Sequence, residues 1–258
     1  MAEFIVVGGT GQIGAKTVNR LRARGRSVAI ASPSTGVDLV TGSGLDEALA
    51  GAEVVIDASK PRSGDPASVR EFFSTGVANL LDAEREHGIR HHLGLTIVGS
   101  ERPHDVPFYA AKVHGERLVR ESEVPWTLVH ATQFFEFAPA IATMADAEGA
   151  VTLPEAMVQP AAGADVADVL VQLALAAPLN ADAEIAGPER MPLAGFVTRV
   201  LRARGDQRVV RAAPDGRYFG GTLDAEALLP GPEAVILPTR LDDWLRTQND
   251  REHEGTEA

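Results

Sequence analysis

Cysteine is missing from the chain. That excludes disulfides, thiolate metal sites and a cysteine nucleophile, and it fits a cytoplasmic protein. Lysine is nearly missing too. Of 24 basic residues only Lys16, Lys60 and Lys112 are lysines, so a lysine that persists where arginine would serve draws notice. No run of about 18 apolar residues occurs, and no membrane-spanning helix is expected. The opening MAEFIVVGG has neither a basic region before its apolar run nor a cleavage site after it, so no signal peptide is expected. Positive charge is also short: the formal net charge is −12. Such a surface repels phosphate backbones. The longest basic cluster, RLRARGR at 20–26, reads as the solvated end of a surface helix. With no helix-turn-helix and no zinc spacing, neither nucleic acid nor a membrane is an expected partner. The seven histidines show no ligand spacing, and no metal site is expected.

What is present is alternation. Short apolar runs at 4–8, 27–32, 54–59, 91–99 and 126–131 are separated by amphipathic stretches at 12–24, 44–50, 66–87 and 109–122. Strands apolar on both sides imply a sheet covered on both faces. Strand–helix alternation implies βαβ units, hence an α/β, doubly wound parallel-sheet Rossmann fold. Beyond residue 132 the pattern is less regular, with helices expected at 165–177 (Asp165 as N-cap) and 192–204 and a strand at 183–189. The expected organisation is a Rossmann core over 1–155, a smaller C-terminal subdomain over 156–247 interleaved with the last core elements, and a disordered tail over 248–258.

The first strand runs into GGTGQIG, which places Gly8, Gly9, Gly11 and Gly14 between a strand and a helix. The first glycine permits a tight turn, the middle one a close approach by pyrophosphate, and the last close helix packing. N–H groups opening the helix near Gln12 and Ile13 then face the phosphates. This is the pattern of a dinucleotide site. The second strand ends in AIASPSTGVD, with no acid before Asp38. Absence of the acid removes repulsion against a 2′-phosphate, and Ser32, Ser34 and Thr35 can donate to it, although no arginine follows. NADP(H) is therefore expected over NAD(H).

With GGTGQIG, VVIDAS, HHLGLTIVG, FYAAKVHGERLV, VPWTLVHATQFFEF and EIAGPE in this order, the chain resembles the NmrA-like branch of the atypical short-chain dehydrogenase/reductases. The resemblance extends to about Thr247. It implies a bacterial NAD(P)H-dependent oxidoreductase acting on a small electrophilic organic molecule, as a monomer or homodimer. It gives the substrate to the C-terminal subdomain. By position it assigns Gly8, Gly11, Gln12, Ile13 and Gly14 to the pyrophosphate loop, with Thr10 between them also expected at the cofactor, and Ser32 to the adenosine ribose or its phosphate. Asp38 and Leu39 fall at the adenine. Ala58, Ser59 and Lys60 fall near the nicotinamide ribose. Gln133, Phe134 and Phe135 fall by the substrate, and RYFGG at 217–221 closes the pocket.

Active relatives carry Tyr-x-x-x-Lys. The lysine holds the ribose and lowers the pKa of the tyrosine that moves the proton. Here Lys112 matches the lysine, but Phe108 occupies the tyrosine position, and Tyr109 is one residue late. One step along a helix turns a side chain by about 100°, so Tyr109 should point elsewhere unless the helix starts irregularly after Pro107. Thr96 stands for the assisting serine. The implied catalytic set is Lys112, Tyr109 and Thr96, with Phe108 at the substrate side. A non-catalytic NAD(P)-binding redox sensor is the alternative.

Overall fold

Apolar runs hidden on both sides belong inside a sheet, and that is where the structure, a computed structural model describing residues 2–102, 105–147 and 149–254, places them. The chain runs β1 (Phe4–Val7), α1 (Gln12–Ala23), β2 (Val28–Ala31), α2 (Leu45–Leu49), β3 (Val54–Asp57), α3 (Pro66–Glu71), α4 (Val77–Glu86), β4 (His91–Ile97), α5 (Pro107–Glu121) and β5 (Trp126–Ala131). It continues through α6 (Ala138–Met144), β6 (Asp146–Ala147), β7 (Ala150–Leu153), β8 (Met157–Val158), α7 (Gly163–Ala174) and β9 (Ala181–Ala186). The last elements are β10 (Met191–Pro192), α8 (Leu193–Ala203), β11 (Val209–Ala212), β12 (Val235–Ile236) and α9 (Leu241–Glu254).

The main sheet has seven strands in the order β12-β9-β5-β4-β3-β1-β2. β1 pairs in parallel with β2 and β3, and β3 with β4. Because β2 and β3 flank β1 on opposite sides, the chain leaves β1 in two directions and opens a crevice at the strand ends, the usual ligand position in such sheets. β1 is buried along its length. Ile5, Val7, Val55, Leu45, Leu49 and Leu80 form one core cluster, and Val69, Phe73, Val77, Ala111, Val119 and Leu128 another.

The chain divides into two compact units, residues 2–101, 108–130 and 166–183 against 102, 105–107, 131–147, 149–165 and 184–254. The division expected at 155 therefore shifts. Residues 131–147 and 149–155 belong with the second unit, whereas the body of α7, from Val166, belongs with the first. The second unit has its own small sheets, β10-β8 and β11-β7-β6, and a core in which Phe135 packs against Phe196 and Trp244.

The helix expected over 66–87 runs from Pro66 to Glu86 with a π turn at Phe72–Gly76 inside it. Two local expectations are corrected. Asp165 does not cap α7 but lies in its first turn, its carboxylate accepting from the N–H and hydroxyl of Thr239. α9 runs on to Glu254, so residues 248–254 are helical rather than disordered. Residues 255–258 of the expected tail lie outside the described residues.

Candidate nucleotide and active site

The loop between β1 and α1 is closed by its own backbone. Gly8 N–H donates to Ala31, Gly9 N–H to Val6 and Gly11 N–H to Gly8. Gly8 has φ +73°, and a Cβ there would stand 2.8 Å from Ala58 O and Ser59 Cα. A Cβ on Gly14 would lie 2.3 Å from Gly8 O. These two positions need glycine for conformation and for contact respectively. Gly11 caps α1 without a side chain, which leaves the first N–H groups of the helix, at Gln12 and Ile13, open to an anion. Thr10, Gly11 and Gln12 are exposed and Ile13 is buried.

The close packing of Gly8 on Ala58 and Ser59 brings the β1 and β3 ends together. Ser59 N–H donates to Asp57, and Ser59 Oγ is buried with no partner among the described residues. Lys60 is exposed beside it. At the end of β2, Ser32 and Thr35 cap a short 3₁₀ turn reciprocally, and Ser32 Oγ lies 2.9 Å from Ser34 Oγ. Asp38 Oδ1 accepts from the N–H groups of Val40 and Thr41. Leu39 departs from the expected adenine contact: it is 6 % exposed and packs in the core cluster with Val37 and Leu45.

The relay residues are placed differently from a Tyr-x-x-x-Lys enzyme. α5 starts at Pro107, so Phe108 and Lys112 share a face, as residues four apart do. Phe108 packs edge-on against Phe73, with ring centroids 5.6 Å apart. Tyr109 is 1 % exposed, its ring centroid 6.0 Å from that of Phe108. Lys112 Nζ donates to Leu95 O at 3.2 Å and lies 5.0 Å from the Phe73 ring centroid. Burial pushes its ammonium below the ordinary lysine range, and Glu116 and Asp57 hold part of that shift back. Thr96, 3 % exposed, donates its hydroxyl to Glu116 rather than presenting it free.

Two residues of this site were invisible to motif reading. Phe73 is aimed by the π turn, and Gly115 lets α5 approach it, since a Cβ there would be 3.0 Å from Phe73 O. Glu116 had a signal, its i+4 spacing from Lys112. Beneath α5 a cavity of about 30 Å³ is lined by Asp57, His92, Thr96, Lys112 and Glu116 among others, room for about one water. His92 Nδ1 lies 2.8 Å from the buried Glu84 carboxylate. Burial works against the His92 charge, but Glu84 outweighs it and raises the imidazole. Glu101, Glu116 and His130 present ligand-type atoms within 4.8 Å of one another. Arg120 Nη2 lies 3.4 Å from both Glu116 Oε2 and His130 Nε2 and supplies the cation there.

The expected substrate residues belong to the second unit. Gln133 is buried, its Oε1 has no partner among the described residues, and its backbone carbonyl accepts from Ala161. Phe134 is half-buried. Phe135, expected at a substrate pocket, is instead 1 % exposed core. In the 217–221 segment Tyr218 is buried, and Phe219 stacks on Phe137 at 6.1 Å.

A glycine cradle that a Cβ would fill, an open helix start and an orphaned hydroxyl beside them fit a dinucleotide. The sequence profile of a family described as NAD(P)H-binding matches residues 8–177. The chain belongs to the NAD(P)H-binding family. This bears out the resemblance to NmrA-like atypical short-chain dehydrogenase/reductases. Among curated relatives of this NAD(P)H-binding protein, the photosystem II assembly factor Ycf39 of Cyanophora paradoxa is 30 % identical over 148 residues, 52 % of this chain and 46 % of the relative. Its counterpart in Synechocystis is 26 % identical over 52 % and 45 % respectively. The alignments thus cover about half the length of either relative. Among solved structures, MoeE5 with UDP-glucose and NAD superposes with TM-score 0.75 at 15 % identity, covering 98 % of this chain and 99 % of that one. The dTDP-4-dehydrorhamnose reductase of Bacillus anthracis with NADP gives 0.71 at 11 %, covering 97 % and 99 %. These show a shared Rossmann fold. Among the described residues no helix is long and apolar enough to cross a membrane.

Proposed function

We propose that this chain uses NADP(H) to move hydride to or from a small electrophilic organic molecule, such as a quinone, an activated carbonyl compound or a natural-product intermediate, without a tyrosine relay. The observation that carries the reading is the intact glycine cradle at the same sheet edge as Phe108 and Lys112, one face of one helix. Bound nicotinamide would supply the hydride. The chain's part is to hold the pyrophosphate on Gly8–Gly14, and the ribose near Ser59, Lys60 and Lys112. Preference for NADP(H) is supported by the Ser32–Ser34 hydroxyl pair and by Asp38, whose Oδ1 is taken up in its own turn.

A second reading, a redox sensor that binds without turnover, is favoured by the inward commitments of Lys112 to Leu95 O and of Thr96 to Glu116. Calorimetric titration with NADPH and NADH, followed by absorbance at 340 nm with quinones and activated carbonyls, separates the two. Tighter NADPH binding with hydride loss supports the oxidoreductase. Binding without loss across the panel supports the sensor, and no binding of either nucleotide refutes both.

A further inference from the structure

With phenylalanine at the tyrosine position, a carbonyl or alcohol handled at this sheet edge must exchange its proton through another group. This inference rests on the oxidoreductase reading. One polar thread runs to that edge. Thr96 Oγ1 donates to Glu116 Oε1, and Ser100 Oγ lies 3.1 Å from the same oxygen and 3.3 Å from Glu101 Oε2. Thr96, Ser100 and Glu116 are 3 %, 3 % and 4 % exposed, whereas Glu101 is exposed. The thread therefore leads from solvent into the interior.

Its inner end is at the right place in the sheet. β1 pairs Val7 with Asp57, and β3 pairs Asp57 with Gly94. Thr96 lies two residues beyond Gly94, near the carboxyl end of β4 (His91–Ile97), while beyond Asp57 on the neighbouring β3 follow Ala58 and Ser59, against which Gly8 packs. Thr96 thus stands at the carboxyl edge beside the glycine cradle. The other oxygen of Glu116 is steadied by Arg120, which is itself held by Asp182 at 3.0 Å. A glutamine would meet the same two hydroxyls, but it could neither pair with Arg120 nor take up a proton on its side-chain oxygen. Retention of an acid between two hydroxyls suits a group that takes and returns a proton.

We propose that Thr96 touches the reacting oxygen and that Glu116, open to solvent through Ser100 and Glu101, is the proton reservoir in place of the missing tyrosine. In alcohol oxidation the substrate O–H bond breaks and its proton passes to Thr96 Oγ1. The Thr96 O–H bond breaks as its own proton passes to Glu116 Oε1. The electron pair left on the substrate oxygen forms the C=O bond while hydride leaves for the nicotinamide, and Glu116 then releases its proton through Ser100. Carbonyl reduction is the reverse: one solvent proton and one hydride become the O–H and C–H of the alcohol.

Two measurements test this. Without turnover, the exchange rate of the Thr96 hydroxyl proton with solvent is read by NMR in wild type and in Ser100→Ala. Exchange slowed at least about tenfold by the variant is expected, and an equal rate overturns the thread. With turnover, NADPH oxidation is followed with isatin, whose carbonyl oxygen must be protonated, and with 1,4-benzoquinone, which accepts hydride without an acid. Glu116→Gln and Thr96→Val should lower the isatin-to-benzoquinone ratio of kcat about a hundredfold, while Thr96→Ser restores it. A ratio unmoved by Glu116→Gln overturns the reservoir and leaves the oxidoreductase reading standing. Wild type inert to both acceptors with NADPH bound overturns that reading and the catalytic role with it.

Discussion

Gly14→Ala places a Cβ 2.3 Å from Gly8 O and 2.8 Å from Gly8 C and Gly9 Cα. All three are backbone atoms of a loop whose N–H groups at Gly8, Gly9 and Gly11 are already bonded, so the loop cannot swing aside without breaking those bonds. Overpacking of a closed site costs about 1–3 kcal/mol. In a chain of this size each kcal/mol moves Tm by about 2–4 °C, so a fall of roughly 2–12 °C is expected. Gly11→Ala is the matched control. Gly11 is extended, with φ −80° and ψ 177°, and a Cβ there meets only Gly8 O at 3.2 Å. A shift of a few tenths of an ångström absorbs it, and Tm should fall by less than about 2 °C. Yet that methyl stands before the open N–H groups of α1, and NADPH affinity should drop at least tenfold, about 1.4 kcal/mol. Thermal melts and calorimetric titrations of the two variants give both numbers. The reasoning fails if Gly11→Ala melts as low as Gly14→Ala, or if it binds NADPH like the wild type.

Phe108→Tyr restores a hydroxyl four residues before Lys112, and NADPH-dependent reduction of isatin should rise at least about tenfold; NADPH binding without any gain would count against the shared face. Lys112→Met should weaken NADPH binding about tenfold, the loss expected for a charged ribose contact. Because burial lowers the folded-state pKa of Lys112 below 10.5, the unfolded chain binds that proton more tightly, and stability from this site rises with pH up to that value. The wild type should therefore gain on Lys112→Met as pH rises towards 10.5 in denaturant melts, and parallel curves would contradict this. Burial, helped by neighbouring His92, drops His91 from 6.5 to about 4. Its contribution is complete above pH 6.5 and is lost as pH falls towards 4, by about 3 kcal/mol. His91→Asn should flatten that acid limb, and an unchanged slope would place the loss elsewhere.

The β1–glycine–α1 unit was readable because its signals are local. Apolar residues in sequence make a buried strand, glycines at 8, 11 and 14 make the turn, and the helix follows directly. That Phe108 and Lys112 share a face of α5 was readable for the same reason, since helix geometry needs only the count of residues between them. Leu39 and Phe135 show where such reading stops. Each looks like a ligand contact by position, and each lies in a core cluster, because burial depends on what a distant segment packs against it. Phe73 reached Lys112 only through a π turn that helical periodicity cannot signal. Glu116 shared the Lys112 face in the sequence. That its carboxylate meets Thr96 and Ser100 follows only from α5 lying over the carboxyl end of β4. The sequence alone pointed to a dinucleotide and put phenylalanine four residues before Lys112, since both follow from residue type at short spacing. Tertiary packing decided where the remaining hydroxyls and charges point, because those contacts join segments that only the folded sheet brings side by side.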